Sequence, residues 1–317
     1  MAKGDFKQRT SHIDWHTIYY DPSHNQTVMG ITRIITLTVI LLAESICLSA
    51  TPKQSKDLFV GKLPNHISFQ ETESLSYEVN WKPLFLFPSF KAGELSFSIN
   101  ISEYKQTPTY TISAWAISEG PLMSVASLKI KNYFESTVGR KDFRSLRLLK
   151  KTHQNEKQRH LEVLFDYDKK STHIQEIDPG TDPPKTIRNQ TIEGIPGLIA
   201  DSLSVFYLAR LRSLMPGEKY FIYFSESGKI KKIHMVVEQQ EKVTTNIGVF
   251  NSIKISTTGG LFKGGGDFRI WYSTDQLRIP VRFEANVLFG KIYGKIIRLE
   301  SITALGGVEM FSMVECH

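Results

Sequence analysis

Gly259-Gly260-Leu261-Phe262-Lys263-Gly264-Gly265-Gly266-Asp267-Phe268-Arg269-Ile270-Trp271-Tyr272-Ser273-Thr274-Asp275-Gln276-Leu277-Arg278-Ile279-Pro280-Val281-Arg282-Phe283 is the stretch on which the fold turns. A glycine cluster leads into an alternating run, then a polar turn, then a second alternating run. Period two is the pattern of a strand with one buried face. The block therefore predicts antiparallel strands over Asp267–Tyr272 and Val281–Leu288, joined by Ser273–Pro280. Pro280 lacks a ladder donor and belongs at a strand's beginning. Asp275 belongs in the turn, where its carboxylate accepts local N–H groups. Alternation places Phe268, Ile270 and Tyr272 on one face, and Val281, Phe283, Ala285 and Val287 on the matching face. Trp271 and Arg282 then share the opposite side, and an exposed Trp beside an Arg is a candidate ligand or partner surface. Asp275, Arg278 and Arg282 surround Ile279-Pro280-Val281; they read either as an Asp–Arg pair that fixes a turn between two strands or as an anion or headgroup contact at a cavity rim. The glycines are not a phosphate loop: Lys263 precedes them and strand residues, not a helix, follow.

The alternation continues upstream. Leu75, Tyr77 and Val79 alternate with Ser76 and Glu78, and Leu95, Phe97, Ile99 and Ile101 with Ser96, Ser98, Asn100 and Ser102. Further runs begin at Tyr110, Leu128, Leu146, His160, Tyr220, Ile230, Val249 and Lys291. Short turns such as Gln154–Lys157 and Ser225–Gly228 join several of them, and Asp178–Lys185 reads as a loop. One helix stands out at Leu198–Leu214, stopped by Pro216-Gly217, with Asp201 and Ser202 in its first turn and Leu203, Phe206 and Leu211 toward the sheet. The predicted fold is mainly β: a large curved antiparallel sheet, half-barrel or sandwich, with one principal α-helix packed on it.

The N-terminal fifth has a different character. Residues 1–28 are polar, and Met29-Gly30-Ile31-Thr32-Arg33 precedes an apolar core, Ile34–Ala43, with Ser49-Ala50 beyond it. This pattern predicts an export signal at 29–50, either cleaved or kept as an N-terminal anchor, with Met29 as the expected start and 1–28 an extension. Glu44 cuts the apolar run short of a spanning helix. Residues 51–73 read as a polar spacer and 74–317 as one β-rich domain, in the periplasm or cell envelope. The net charge is +7, and the first 50 residues are charge-neutral, so the basic excess belongs to the body. The Lys and Arg are spread along strands, which argues for a solvated surface and against a nucleic-acid partner.

Chemistry is sparse. The two cysteines, Cys47 and Cys316, have no metal-site spacing, so neither metal nor cofactor is expected. The histidines share no motif. Ser202 lacks a nucleophile elbow, and Asp166 and Asp168, flanking Tyr167, share a solvent face. No catalytic residue is assigned.

Certain motifs nevertheless recur as a set: Tyr77-Glu78-Val79-Asn80-Trp81 with Lys91-Ala92-Gly93, Lys131–Ser136, Asp201-Ser202-Leu203-Ser204 with Tyr207-Leu208-Ala209-Arg210, Gly248-Val249-Phe250, and Ile270–Asp275 through Arg278–Val281 to Phe289-Gly290. On these the chain resembles a bacterial family of exported β-rich proteins known only as a domain of unknown function. Asn132 stands where that family favours an acidic residue. The resemblance implies an envelope location and an antiparallel sheet with one helix, and carries no catalytic residue. Asp201 and Arg210 join Trp271, Asp275, Arg278 and Arg282 as candidate ligand or partner residues. Three functions are compatible: a non-catalytic envelope protein holding an apolar or lipidic ligand, or an envelope partner, in the sheet concavity; a periplasmic hydrolase using Ser202 or Asp201; and a structural assembly factor pairing through a sheet edge.

Overall fold

The structure, a computed structural model, describes residue 69 and residues 72–84, 88–120, 123–124, 127, 129–212, 214–258, 266–287, 290–302 and 308–310. The expected export signal, the extension before it, most of the spacer, both cysteines and Gly259–Gly265 lie outside the described residues.

The described strands run as a meander in two halves. The first half is β1 (Thr72–Pro83), β2 (Phe90–Tyr104), β3 (Thr107–Ser118), β4 (Lys131–Gly139), β5 (Ser145–Gln154), β6 (Lys157–Asp166), β7 (Ser171–Asp178) and β8 (Lys185–Glu193). A short strand β9 (Ile199–Asp201) and a helix α1 (Ser204–Leu208), continued by a 3-10 turn at Ala209–Leu211, make the crossover. The second half is β10 (Lys219–Glu226), β11 (Lys229–Thr245), β12 (Gly248–Thr258), β13 (Phe268–Ser273), β14 (Pro280–Val287), β15 (Gly290–Ile302) and β16 (Val308–Met310). The halves join where β15 pairs with β1, so one sheet runs from β8 through β1 and β15 to β9, with β16 beside β15. The neighbours are antiparallel except β9, which lies parallel to β10. The sheet is not closed: β8 and β9 are its two ends.

Local sequence accounts for most of this. β5 and β6 meet across Asn155-Glu156, and β10 and β11 across Ser227-Gly228, where both turn residues have positive φ (51° and 88°) as tight hairpins require. The C-terminal hairpin has the predicted form. Phe268 pairs with Ala285, Ile270 with Phe283 and Trp271 with Arg282, and Pro280 is the first residue of β14.

The helix is a correction. Residues 199–201 are strand, and α1 spans five residues rather than most of Leu198–Leu214. Apolar residues spaced three and four apart continue past the helix because that segment is buried from several sides, and burial by itself leaves the same trace as a helical face. Leu203, Phe206 and Leu211 still pack on the main core, as their spacing requires. That core brings Tyr77, Phe97, Ile99 and Ile112 from the first half against Ile255, Ile270, Phe283 and Ile296 from the second. Each large side chain removed from water in this way contributes roughly 1.5–3 kcal/mol.

Candidate functional site

The six residues singled out from the sequence fall in three places. Arg210, Arg278 and Asp275 meet in one knot. Arg210, buried in the 3-10 turn, makes a two-pronged ion pair with buried Glu73 of β1 at 2.7 and 2.8 Å, and also donates to the Leu277 carbonyl at 2.8 Å. Its guanidinium lies near the rings of Phe69 and Tyr207. Burial works against the charge, but Glu73 outweighs it and holds the Arg210 pKa above its ordinary value. Arg278 donates to the carbonyls of Arg210 and Arg212. Asp275 takes the N–H groups of Leu277 and Arg278 at 2.9 and 3.1 Å and the Ser273 hydroxyl at 3.0 Å. The expected Asp–Arg pair is therefore corrected. The Asp275 carboxylate binds backbone N–H groups, the Arg278 guanidinium binds backbone carbonyls, and the turn is fixed from both sides.

Trp271 and Arg282 lie together as predicted, with the guanidinium carbon 4.7 Å from the ring centre. The exposure expected of them is corrected: Trp271 is 5% exposed, and its indole N–H donates to Glu241. Trp271 packs within the main core, and Glu241 reaches its N–H from β11, two strands away, neither of which alternation within one hairpin reveals. Asp201, fully buried at the end of β9, accepts the N–H groups of Leu203 and Ser204 and the Ser136 hydroxyl. It ties the crossover to β4. All six residues are engaged by protein groups.

A different place has room. At one rim of the sheet, the ends of β1, β3 and β14 and the beginnings of β2, β4 and β15 surround a cavity of about 130 Å³. Phe206 closes its inner end, packed on Phe97, Phe268 and Phe283 at ring-centre distances of 5.2, 5.8 and 6.4 Å. Trp81, Met123, Ile130 and Ile292 form a satellite cluster toward the rim. Two glycines shape the walls. A Cβ on Gly93 would stand 2.0 Å from the Ile117 carbonyl oxygen, so only glycine lets β2 and β3 close up at the mouth. A Cβ on Gly294 would stand 2.2 Å from the Phe283 ring, so its absence lets that ring lie flat across the sheet.

Polar groups in the wall are few. Asn132 is buried, and its side-chain oxygen accepts the His153 N–H at 3.0 Å. The amide carbonyl serves a backbone donor here, a role that an acidic residue could also fill. Glu94 stands at the mouth and pairs with Lys91, which also holds Glu119 at 2.8 Å. The hydrogen bond to Glu119 raises the Lys91 pKa, and the bond to Lys91 lowers that of Glu119. The Trp81 indole N–H is buried without a hydrogen-bond partner among the described residues. Ser202 borders the cavity, but among the described residues no histidine does, and the Asp201 carboxylate is taken by Leu203, Ser204 and Ser136. The wall offers an apolar enclosure, with one unpartnered donor buried behind its surface. The sequence did carry signals here, in Trp81, Gly93 and the alternation of β1 and β2. They reveal a cavity only once the register sets β2 and β3 opposite β13 and β14.

Residues 76–296 match the model of a family described as a protein of unknown function, DUF3108. The chain belongs to this family. Among curated proteins, none matches the sequence. Two solved structures are similar in outline. One is a β-barrel-like protein of the domain of unknown function DUF1849 from Brucella abortus, 12% identical, with a TM-score of 0.46, covering 74% of this chain and 98% of that one. The other, from Bacteroides fragilis, is described as a presumed exported protein with a YmcC-like fold; it is 10% identical, with a TM-score of 0.26, covering 75% of this DUF3108 chain and 99% of its own. Among the described residues, no helix of this DUF3108 member is long and apolar enough to cross a membrane.

Proposed function

We propose that this DUF3108 protein is an exported, non-catalytic envelope protein that binds an apolar or lipidic ligand in the rim cavity. The observation that carries the reading is the cavity itself: an enclosure walled by aromatic and aliphatic side chains with few polar groups, the usual makeup of an apolar ligand site. Its volume is near that of engineered apolar cavities of roughly 150 Å³ that hold benzene. It therefore suits a ring or one end of an acyl chain rather than a whole lipid. The unpaired Trp81 N–H favours a ligand that brings an acceptor, such as a carboxylate, ester or hydroxyl. Export rests on the Arg33 and Ile34–Ala43 signal pattern.

Titration with N-phenyl-1-naphthylamine tests the cavity. Wild type should show saturable binding, and Ala116→Phe, which fills the mouth, should weaken it at least tenfold with the thermal midpoint little changed. Absence of saturable binding, or equal binding by the filled variant, refutes the reading. For export, Leu41→Asp with Leu42→Asp should leave the protein in the cytoplasm. Normal export of that variant removes the signal.

A further inference from the structure

The outer face of the sheet carries a second depression, at the same rim as the cavity mouth. Trp115, Tyr133, Lys151 and His160 form one transverse row across β3, β4, β5 and β6, each the register partner of the next. Lys131, His153 and Gln158 complete its edges. Trp115 is 42% exposed and packs against Tyr133 with the rings tilted and their centres 4.8 Å apart, and the Lys131 ammonium lies 5.8 Å from the indole. Two residues on, Ile117 is 47% exposed and also lines the cavity, and its register partner is Lys131. Among the described residues, no carboxylate lines the depression. Nearby Glu135 accepts from the Tyr133 hydroxyl and is held by Arg147. Burial, and to a lesser degree the Lys151 charge, keeps His160 below the usual imidazole range.

We infer that this face is a docking surface for an anionic phospholipid bilayer: Lys131 and Lys151 meet phosphate groups, Trp115 and Ile117 enter the interface, and the cavity mouth is turned to the membrane. The inference rests on the proposed ligand reading for its purpose but not for its geometry. Two observations favour a bilayer. The first is charge complementarity: among the described residues cations and no carboxylate line the depression, and Lys91 pairs with Glu94 and Glu119 at the cavity mouth. The second is the pairing of an indole with an exposed aliphatic side chain and lysines, which suits a headgroup layer that is apolar beneath and charged above. Single-stranded nucleic acid is less suited, because Trp115 and Tyr133 contact each other and make one platform rather than a row of stacking sites.

The test uses the full chain and vesicle co-sedimentation at half-saturating lipid. Vesicles of phosphatidylcholine alone give the baseline, which includes any affinity of the N-terminal segment. Vesicles with 30 mol% phosphatidylglycerol should bind the wild type about tenfold more tightly, and 0.5 M NaCl should erase the gain. Lys131→Glu with Lys151→Glu, and separately Trp115→Ala, should each remove most of the gain while N-phenyl-1-naphthylamine still binds. Ala116→Phe should lose the probe and keep the gain, so failure of the cavity and failure of the surface are separable. Free glycerol-3-phosphate at millimolar concentration should not compete; full competition would mean that a soluble phosphate is the ligand and would overturn the bilayer. Equal binding to both vesicle types, or a gain that survives in the charge-reversed variant, also overturns it.

Discussion

The knot around Arg210 and the cavity beside Phe206 are built from neighbouring segments and could hardly differ more. In the knot, Glu73 and Arg210 satisfy each other, and Asp275 and Arg278 satisfy the backbone. In the cavity, ordinary apolar residues enclose space, and the one conspicuous polar atom, Trp81 Nε1, has no partner among the described residues. Charged residues in distinctive motifs attract attention as recognition groups. Here they hold the crossover to the C-terminal hairpin, and the open space lies where no motif residue is charged. A buried charge must be paired to be tolerated. Once paired, it has little left to offer a ligand.

The sharpest way to break this contrast is Glu73→Ala. It leaves the Arg210 guanidinium buried without its carboxylate and should cost about 3–5 kcal/mol in urea unfolding. Glu73→Leu with Arg210→Met should recover much of that loss. If Glu73→Ala costs under 1 kcal/mol, the knot is not structural and Arg210 is free to serve a ligand. Phe206→Ala comes next. Because the ring is half-buried, the loss should be roughly 2 kcal/mol, below the range for a fully buried phenylalanine. The variant should bind N-phenyl-1-naphthylamine at least as well as wild type, since the inner end of the cavity opens. Weaker binding would place the probe elsewhere.

Glu284 extends the comparison to the outer face. It is buried, and although burial favours its neutral form, Lys291 and Arg282 prevail and hold its carboxyl below the ordinary range. A depressed carboxylate contributes stability above its unfolded pKa and loses it as pH falls through the folded value. Glu284→Gln should therefore lower stability at pH 7 and show a shallower loss than wild type below about pH 4. Parallel curves would mean that the ion pairs contribute nothing. The smallest effect is expected for Trp81→Phe, with stability changed by less than about 1 kcal/mol. Affinity for decanoate should fall about three- to tenfold, in line with one lost hydrogen bond, while N-phenyl-1-naphthylamine is unaffected.

Read alone, the sequence specifies most of the strands, though not β7, β8 or β9, together with the C-terminal hairpin, Pro280 at the head of β14, Asp275 as a turn acceptor, and the family. All of these depend on local chemistry: period-two burial, a missing N–H, a short carboxylate near free amides. It overstated the helix, because a segment buried on several sides imitates a helical stripe. It left Trp271 exposed, because Glu241 reaches it from thirty residues away in the chain. It could not show the cavity, since β1 to β4 and β13 to β15 come together only through the pairing of β15 with β1. Nor could it show the row from Trp115 to His160, which exists only in the register of four strands. Alternation tells each residue which side of its own strand it occupies. Which residues share that side across a sheet depends on long-range pairing, and that is decided by the tertiary structure.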